Sequence, residues 1–281
     1  MASPNALRGI DHVAILVRNL AAGEAAYRRL GFKTTPIGRH NNTGTANHCV
    51  MFGEDFFELF GILTPTEFNK PWAAAVAERE GLWAACFTSE DIHATQRAFA
   101  SAGFQPTEPK DFSRPVEFDG TVSQARFTLT YLEPDAVEGI RLFACVHHTP
   151  ELVWRPEYLG HPNAATSISH MTIAIDDPAA AAAAYARVTG TTPVPRSTGV
   201  DIPGPRATIR LITPAEAAVD YAGDPVLDYK RPVPIGFGFR VSDPSAARAA
   251  LEANGVPFEA LKTGGIRVGS AYACGVALDF A

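Results

Sequence analysis

The chain has 281 residues, of which 46% are hydrophobic and 19% charged, enough apolar material for a sizeable buried core. Its formal net charge of -6, without a run of lysine or arginine, gives no footprint for nucleic acid or an acidic membrane surface, so the expected partner is a small molecule. The first nine residues lack the apolar core of a secretory signal, and no later stretch approaches the roughly 18 apolar residues needed to span a bilayer, so a cytoplasmic location without membrane contact is expected. In chain order, an apolar strand followed by a helix ending at glycine occurs four times. The copies open at GIDHVAILV, GLWAACFTS, SISHMTIAI and PIGFGFRVS and close at Gly31, Gly103, Gly190 and Gly255, at nearly constant spacing when His12, Ala84, His170 and Phe237 are aligned.

Each helix carries its own punctuation. Asp177-Pro178 and Asp243-Pro244 place a capping carboxylate before a first-turn proline, and Asn19 and Asp91 stand at the same place in the other two copies. The glycines supply the left-handed turn that ends a helix. Strand-like segments follow: NHCVMFG and FFELFGI in the first copy, ARFTLTYL and IRLFACV in the second, only ATIRLIT in the third, and GIRVGSAY and GVALDFA in the fourth. The proline-rich, polar stretch HHTPELVWRPEYLGHPNAAT lies between copies two and three, which predicts two domains, 1–155 and 156–281. The four cysteines, Cys49, Cys86, Cys145 and Cys274, are far apart and form no C-x-x-C pair, which argues against a disulfide scaffold or a structural zinc site.

Alternation in the first strand puts Ile10, His12 and Ala14 on one face, with Asp11, Val13 and Ile15 on the other. In FFELFGI, Phe56, Glu58 and Phe60 share a face. A carboxylate between two phenylalanines is costly to bury without a positive partner, and either a metal ion or an arginine would serve. His12 and Glu58 are therefore candidate metal ligands, against the ordinary reading of a hydrogen-bonded core histidine and a carboxylate paired with arginine. His48 and His147 are further ligand candidates; of the neighbours His147 and His148, only one can face inward. Phe56, Phe60, Trp83 and Trp154 are candidate substrate contacts, although aromatic residues more often serve as plain core. His170 and Asp279 form a minor rival site in the second half.

The segments GIDHVAILVRNL, AAYRRLGF and TGTANHCVMFGEDFFELFGI resemble the vicinal-oxygen-chelate superfamily, the glyoxalase, bleomycin-resistance and extradiol-dioxygenase fold, and within it the glyoxalase-like domain proteins. The resemblance is sharp over about the first sixty residues and extends along the chain as the repeat. It implies an α+β fold of four tandem βαβββ modules pairing into two cupped, mostly antiparallel sheets with helices outside. It also implies a divalent ion (zinc, iron, manganese or nickel) held by His12 and Glu58, with Glu58 as ligand or proton-transfer base. The reaction implied is that of a lyase, isomerase or dioxygenase on a small molecule with neighbouring oxygens. The chain departs from the pattern at Ala84 and in the apolar IRLFACV, where a complete site would draw ligands from the second module. The alternative is a metal-free binding or sequestering protein of the same fold. Pairing of edge strands between subunits makes a homodimer the expected assembly.

Overall fold

The computed structural model describes residues 7–118 and 120–281, so most of the opening segment read above for a secretory signal lies outside the described residues. The first copy builds β1 (Leu7–Leu16), α1 (Leu20–Arg29), β2 (Gly38–Arg39), β3 (Thr45–Met51) and β4 (Phe56–Ile62). A connecting helix α2 (Lys70–Glu78) leads to β5 (Gly81–Ser89), α3 (Ile92–Ser101), β6 (Lys110–Phe118), β7 (Thr121–Tyr131) and β8 (Arg141–His147). The third copy is β9 (Ala165–Ala174), α4 (Pro178–Thr189), β10 (Val194–Pro195), β11 (Gly199–Ile202) and β12 (Thr208–Ile212), followed by α5 (Pro214–Asp220). The fourth is β13 (Val233–Val241), α6 (Pro244–Ala253), β14 (Glu259–Ala260), β15 (Ile266–Val268) and β16 (Ala277–Phe280).

The helix boundaries follow the sequence signals. Asn19, Asp91, Asp177 and Asp243 each accept a hydrogen bond from a backbone N–H in the first turn of α1, α3, α4 and α6. The closing glycines all take the left-handed conformation, with φ between 61° and 89°. The third copy is complete, contrary to the expectation of one strand. Its extra strands β10 and β11 are only 2 and 4 residues long, too short for a period-2 pattern to show.

Two sheets result, ordered β2-β3-β4-β1-β5-β8-β7-β6 and β10-β11-β12-β9-β13-β16-β15-β14. The central strands of each copy pair antiparallel, β1 with β5 and β9 with β13, while each first strand runs parallel to its own last strand. One face of each sheet is concave; the other carries the helices. These helical faces turn toward each other, so α1, α3, α4 and α6 each pack one side into a core shared by the two sheets and keep another side in solvent. Val13 and Ile15 of β1, Tyr27 of α1, Phe99 of α3, Tyr185 of α4 and Leu251 of α6 belong to one core with Ile173, Phe237 and Phe239 of the second sheet. The ring of Phe57 lies 5.5 Å from that of Phe237 and 5.7 Å from that of Phe239. Gly31, closing α1, sits so near Asn163 and Ala250 that a Cβ there would come within about 3.1 Å of both. Among the described residues no helix is long and apolar enough to cross a membrane.

Candidate functional site

The concave face of the first sheet encloses a cavity of about 130 Å³. An apolar cavity of about 150 Å³ takes a benzene molecule, so there is room for one small ring. Strands from both copies form the wall: His12 from β1, Asn47 and Cys49 from β3, Phe56, Glu58 and Phe60 from β4, and Phe143, Cys145 and His147 from β8. Phe68 and Trp72, around the start of α2, and Val153, from the segment joining the halves, add to it, as do Arg114 of β6 and Phe127 of β7. The face shared by Phe56, Glu58 and Phe60 is thus the inner face, as alternation predicts.

A bulge in β1 arranges the centre. Ile10 pairs with Phe87 and His12 with Cys86, so Asp11 is an extra residue with no partner of its own on β5. Simple alternation fails here: Ile10 joins the shared core with Val13 and Ile15, and Asp11 turns to the histidines on the cup side. The Asp11 carboxylate is 1% exposed and fully engaged. Its Oδ1 accepts from Nδ1–H of His12 at 2.7 Å and from Nε2–H of His147 at 3.0 Å, and its Oδ2 accepts from the Thr88 hydroxyl at 2.9 Å. Burial alone would raise the Asp11 pKa, but the two histidine bonds hold it well below the usual carboxylate range. Burial likewise opposes charge on the imidazoles, yet Asp11 and Glu58 raise His12, and Asp11 and Cys145 raise His147 to about 10.

His12 therefore has one nitrogen pinned and the other, Nε2, facing the cavity, where it lies 3.9 Å from Oε1 of Glu58. Phe56 stacks on the His12 ring at 4.4 Å, and Phe143 meets it edge-on at 5.4 Å, fixing its plane. The other oxygen of Glu58, Oε2, accepts from Nδ2 of Asn47 at 2.6 Å. Glu58 is thus tied to an amide and faces a histidine, and among the described residues no arginine pairs with it.

With this geometry in place, the family can be read from comparison. A family model described as "Glyoxalase-like domain" matches residues 10–189. The chain belongs to the glyoxalase-like domain family. Solved structures agree on the fold. A hypothetical protein from Staphylococcus aureus superposes with a TM-score of 0.66 at 13% identity, over 97% of this chain and 98% of that one. A mutant 4-hydroxymandelate synthase from Streptomyces coelicolor gives 0.61 at 14% identity, over 91% and 77%. A fusion of a xylose isomerase-like TIM barrel with 4-hydroxyphenylpyruvate dioxygenase gives 0.53 at 14%, over 98% of this chain and 48% of that one. No curated protein matches the sequence.

In this glyoxalase-like protein the donor set for a divalent ion can be tested directly. Two ligands at about 2.0–2.2 Å from one ion can lie 3.9 Å apart, as His12 Nε2 and Glu58 Oε1 do, and Asp11 stands behind His12 as carboxylates do behind ligating histidines. The two residues fit as a pair. At the equivalent positions the second copy adds none: by sheet register Ala84 and Phe143 take the places of His12 and Glu58. Donor atoms of Asp11, His12 and Cys86 also lie within 4.8 Å of one another. However, both oxygens of Asp11 are already bonded, and burial raises the Cys86 thiol well above its ordinary pKa and keeps it protonated.

Of the other candidates, His147 lines the cavity, and His48, Trp83 and Trp154 do not. His48 lies on the outer face of β3, where its neighbours Asn47 and Cys49 point inward; its Nδ1–H donates to the Thr35 carbonyl at 2.8 Å and its Nε2 is 3.6 Å from Glu24. It is no part of the site. His147 ends β8 and faces in, while His148 turns out to the Thr128 hydroxyl at 2.7 Å. Trp83 is outside the cavity lining, beside Trp72 at 5.9 Å with the Arg141 guanidinium 5.0 Å above its ring. Trp154 backs the wall, 5.8 Å from Phe56 and 4.7 Å from His147.

The rival site in the second half is filled. Arg267 makes two bonds to Asp279, at 2.6 and 2.8 Å, and lies 3.8 Å above the ring of Tyr221; His170 is 3.4 Å from the same carboxylate. α5 and Tyr221 pack into this cup against Ile235 and Ala277. Phe237, aligned with His170 in the repeat, does not face it across the sheet. Gly238 lies directly opposite His170, and Phe237 points into the shared core.

Proposed function

We propose that this chain is an enzyme of the lyase, isomerase or dioxygenase kind that holds a small, largely apolar molecule with neighbouring oxygen atoms in the first cup. The observation that carries this reading is the Glu58 carboxylate facing a mostly apolar cavity beside an oriented His12. Phe56, Phe60 and Phe143 hold the apolar part and keep water from it. Asn47 ties Oε2 of Glu58, leaving Oε1 toward the cavity to take a proton from a carbon beside the substrate's oxygens. His12, kept in place by Asp11 and Phe56, offers Nε2–H to the oxyanion that develops. Where a divalent ion is bound, His12 Nε2 and Glu58 would instead serve as its ligands, and the ion would supply the polarisation of the neighbouring oxygens.

A second reading, a metal-free cup that sequesters a ligand, is favoured by the pair of ligands standing where a complete site has more. Elemental analysis of the chain beside His12→Ala and Glu58→Ala, followed by turnover assays on a panel of vicinal dioxygen compounds, separates the two. The enzyme reading expects near-stoichiometric metal that both variants lose, with turnover that Glu58→Gln lowers about 10²- to 10⁴-fold. Ligand binding without metal after reconstitution, and without turnover, supports the sequestering cup.

A further inference from the structure

At the cavity wall stands a charge that finds no partner among the described residues. Arg114 of β6 lies at the seam where the two edges of the first sheet approach, marked by Asn41 donating to the Ser113 hydroxyl at 3.2 Å. Its guanidinium crosses Gly38 of β2: a Cβ on that glycine would stand 3.0 Å from Nη1 of Arg114 and 2.6 Å from Oδ1 of Asn47. Glycine at this position is what lets the side chain reach the cavity wall.

Arg114 is half-buried, and among the described residues no carboxylate, carbonyl or hydroxyl takes a hydrogen bond from it. The nearby acceptors are engaged elsewhere. Glu58 is tied to Asn47 and faces His12, Asp11 is shared by His12 and His147, and Thr43, Thr45 and His40 bond one another. Oδ1 of Asn47, beside the same glycine, is buried without a partner. By contrast Arg196 and Arg267 each sit on a carboxylate, and Arg206 and Arg240 on backbone carbonyls. An unpaired cation facing a largely apolar cavity is costly, and the planar fork of a guanidinium matches a carboxylate with two parallel bonds.

We propose that Arg114 receives the carboxylate of a small aromatic acid whose ring occupies the apolar part of the cavity against Phe56, Phe60, Phe127 and Trp72. This deepens the reading of the first cup as the substrate site and rests on it. Both Arg114 and Glu58 face the one cavity, so an acid held at Arg114 brings the atoms next to its carboxylate toward Glu58.

The test uses benzoate and its neutral, nearly isosteric counterpart benzamide, titrated into the intact protein by calorimetry and by the fluorescence of Trp72. Benzoate should bind at least tenfold more tightly than benzamide. Arg114→Gln should abolish that preference while leaving benzamide affinity within about twofold, and Arg114→Lys should keep part of it. A thermal melt of each variant shows that it is folded. Equal affinity for the two ligands, no binding of either, or a preference that survives Arg114→Gln would each overturn the assignment. Binding is read without turnover. Benzoate preference with a catalytically indifferent Glu58→Gln therefore refutes the enzymatic reading alone, and the reverse result refutes only the role of Arg114.

Discussion

His161, in the segment joining the halves, accepts at Nδ1 from the Lys33 amide and donates through Nε2–H to the Met51 carbonyl, each at 3.0 Å. That arrangement suits a neutral imidazole, and burial pushes its pKa down to about 4. An unfolded chain takes the proton near pH 6.5, so the stabilisation is complete above that pH and declines as pH falls from 6.5 toward 4, by about 3 kcal/mol in all. Urea unfolding at pH 7.5 and 5.0 should show about 2 kcal/mol of this loss in the parent chain. In His161→Gln it should be much reduced, on a baseline about 1–3 kcal/mol less stable at pH 7.5. An unchanged slope in the variant would assign the pH dependence to other groups. At this scale the sequence exposes His12, Glu58, Phe56 and Phe60, because a period of two suffices to place them. Asp11 escapes the same rule: a bulge is a matter of pairing register, and only the presence of a carboxylate inside the apolar DHVAILV hints at it. His48 is read as a candidate from residue type, while the alternation of β3 carries it to the outer face. Arg114 has no motif around it and becomes visible only when β6 and β2 meet.

Among the elements, the two cups show how one architecture yields a hollow and a solid version. In the second, α5 and Tyr221 occupy the concave face and Arg267 neutralises Asp279. Burial alone would raise the Asp279 pKa, but His170 and Arg267 hold it below the usual carboxylate value. A depressed carboxylate contributes its stability above the unfolded pKa and loses it as pH falls through the folded one. Asp279→Asn should therefore cost about 3–5 kcal/mol at pH 7, because it leaves the Arg267 cation buried and unpaired, and the gap to the parent should narrow only in strong acid. Guanidinium titrations of both chains at pH 7 and pH 3 measure it; a cost below 1 kcal/mol at pH 7 would mean that solvent reaches Arg267. The helices of all four copies are legible from caps and closing glycines because those signals are local. The short strands β10 and β11 are not, since so few residues carry no periodicity, and that Gly238 stands opposite His170 is not, because strand register depends on what pairs across the sheet.

For the whole molecule, the fourfold repeat is readable in the sequence, whereas the way the halves meet is not. Amphipathic helices announce that they cover a sheet without saying what lies on their far side. Here Phe32 and Phe57 of the first half meet Phe237, Phe239 and Phe280 of the second. Scanning calorimetry should accordingly give one transition with matching calorimetric and van't Hoff enthalpies, and 1–155 expressed alone should expose this aromatic surface and aggregate. Two resolved transitions would instead make each half an independent folding unit. The back-to-back arrangement also separates two kinds of selection. The residues that join the two halves lie on the helical faces, while the candidate ligand contacts line the concave face of the first sheet. Changes to the lining of the hollow first cup can therefore accumulate with less toll on folding than changes in the filled one, so such a scaffold is disposed to acquire new specificities in one cup while the other serves as ballast.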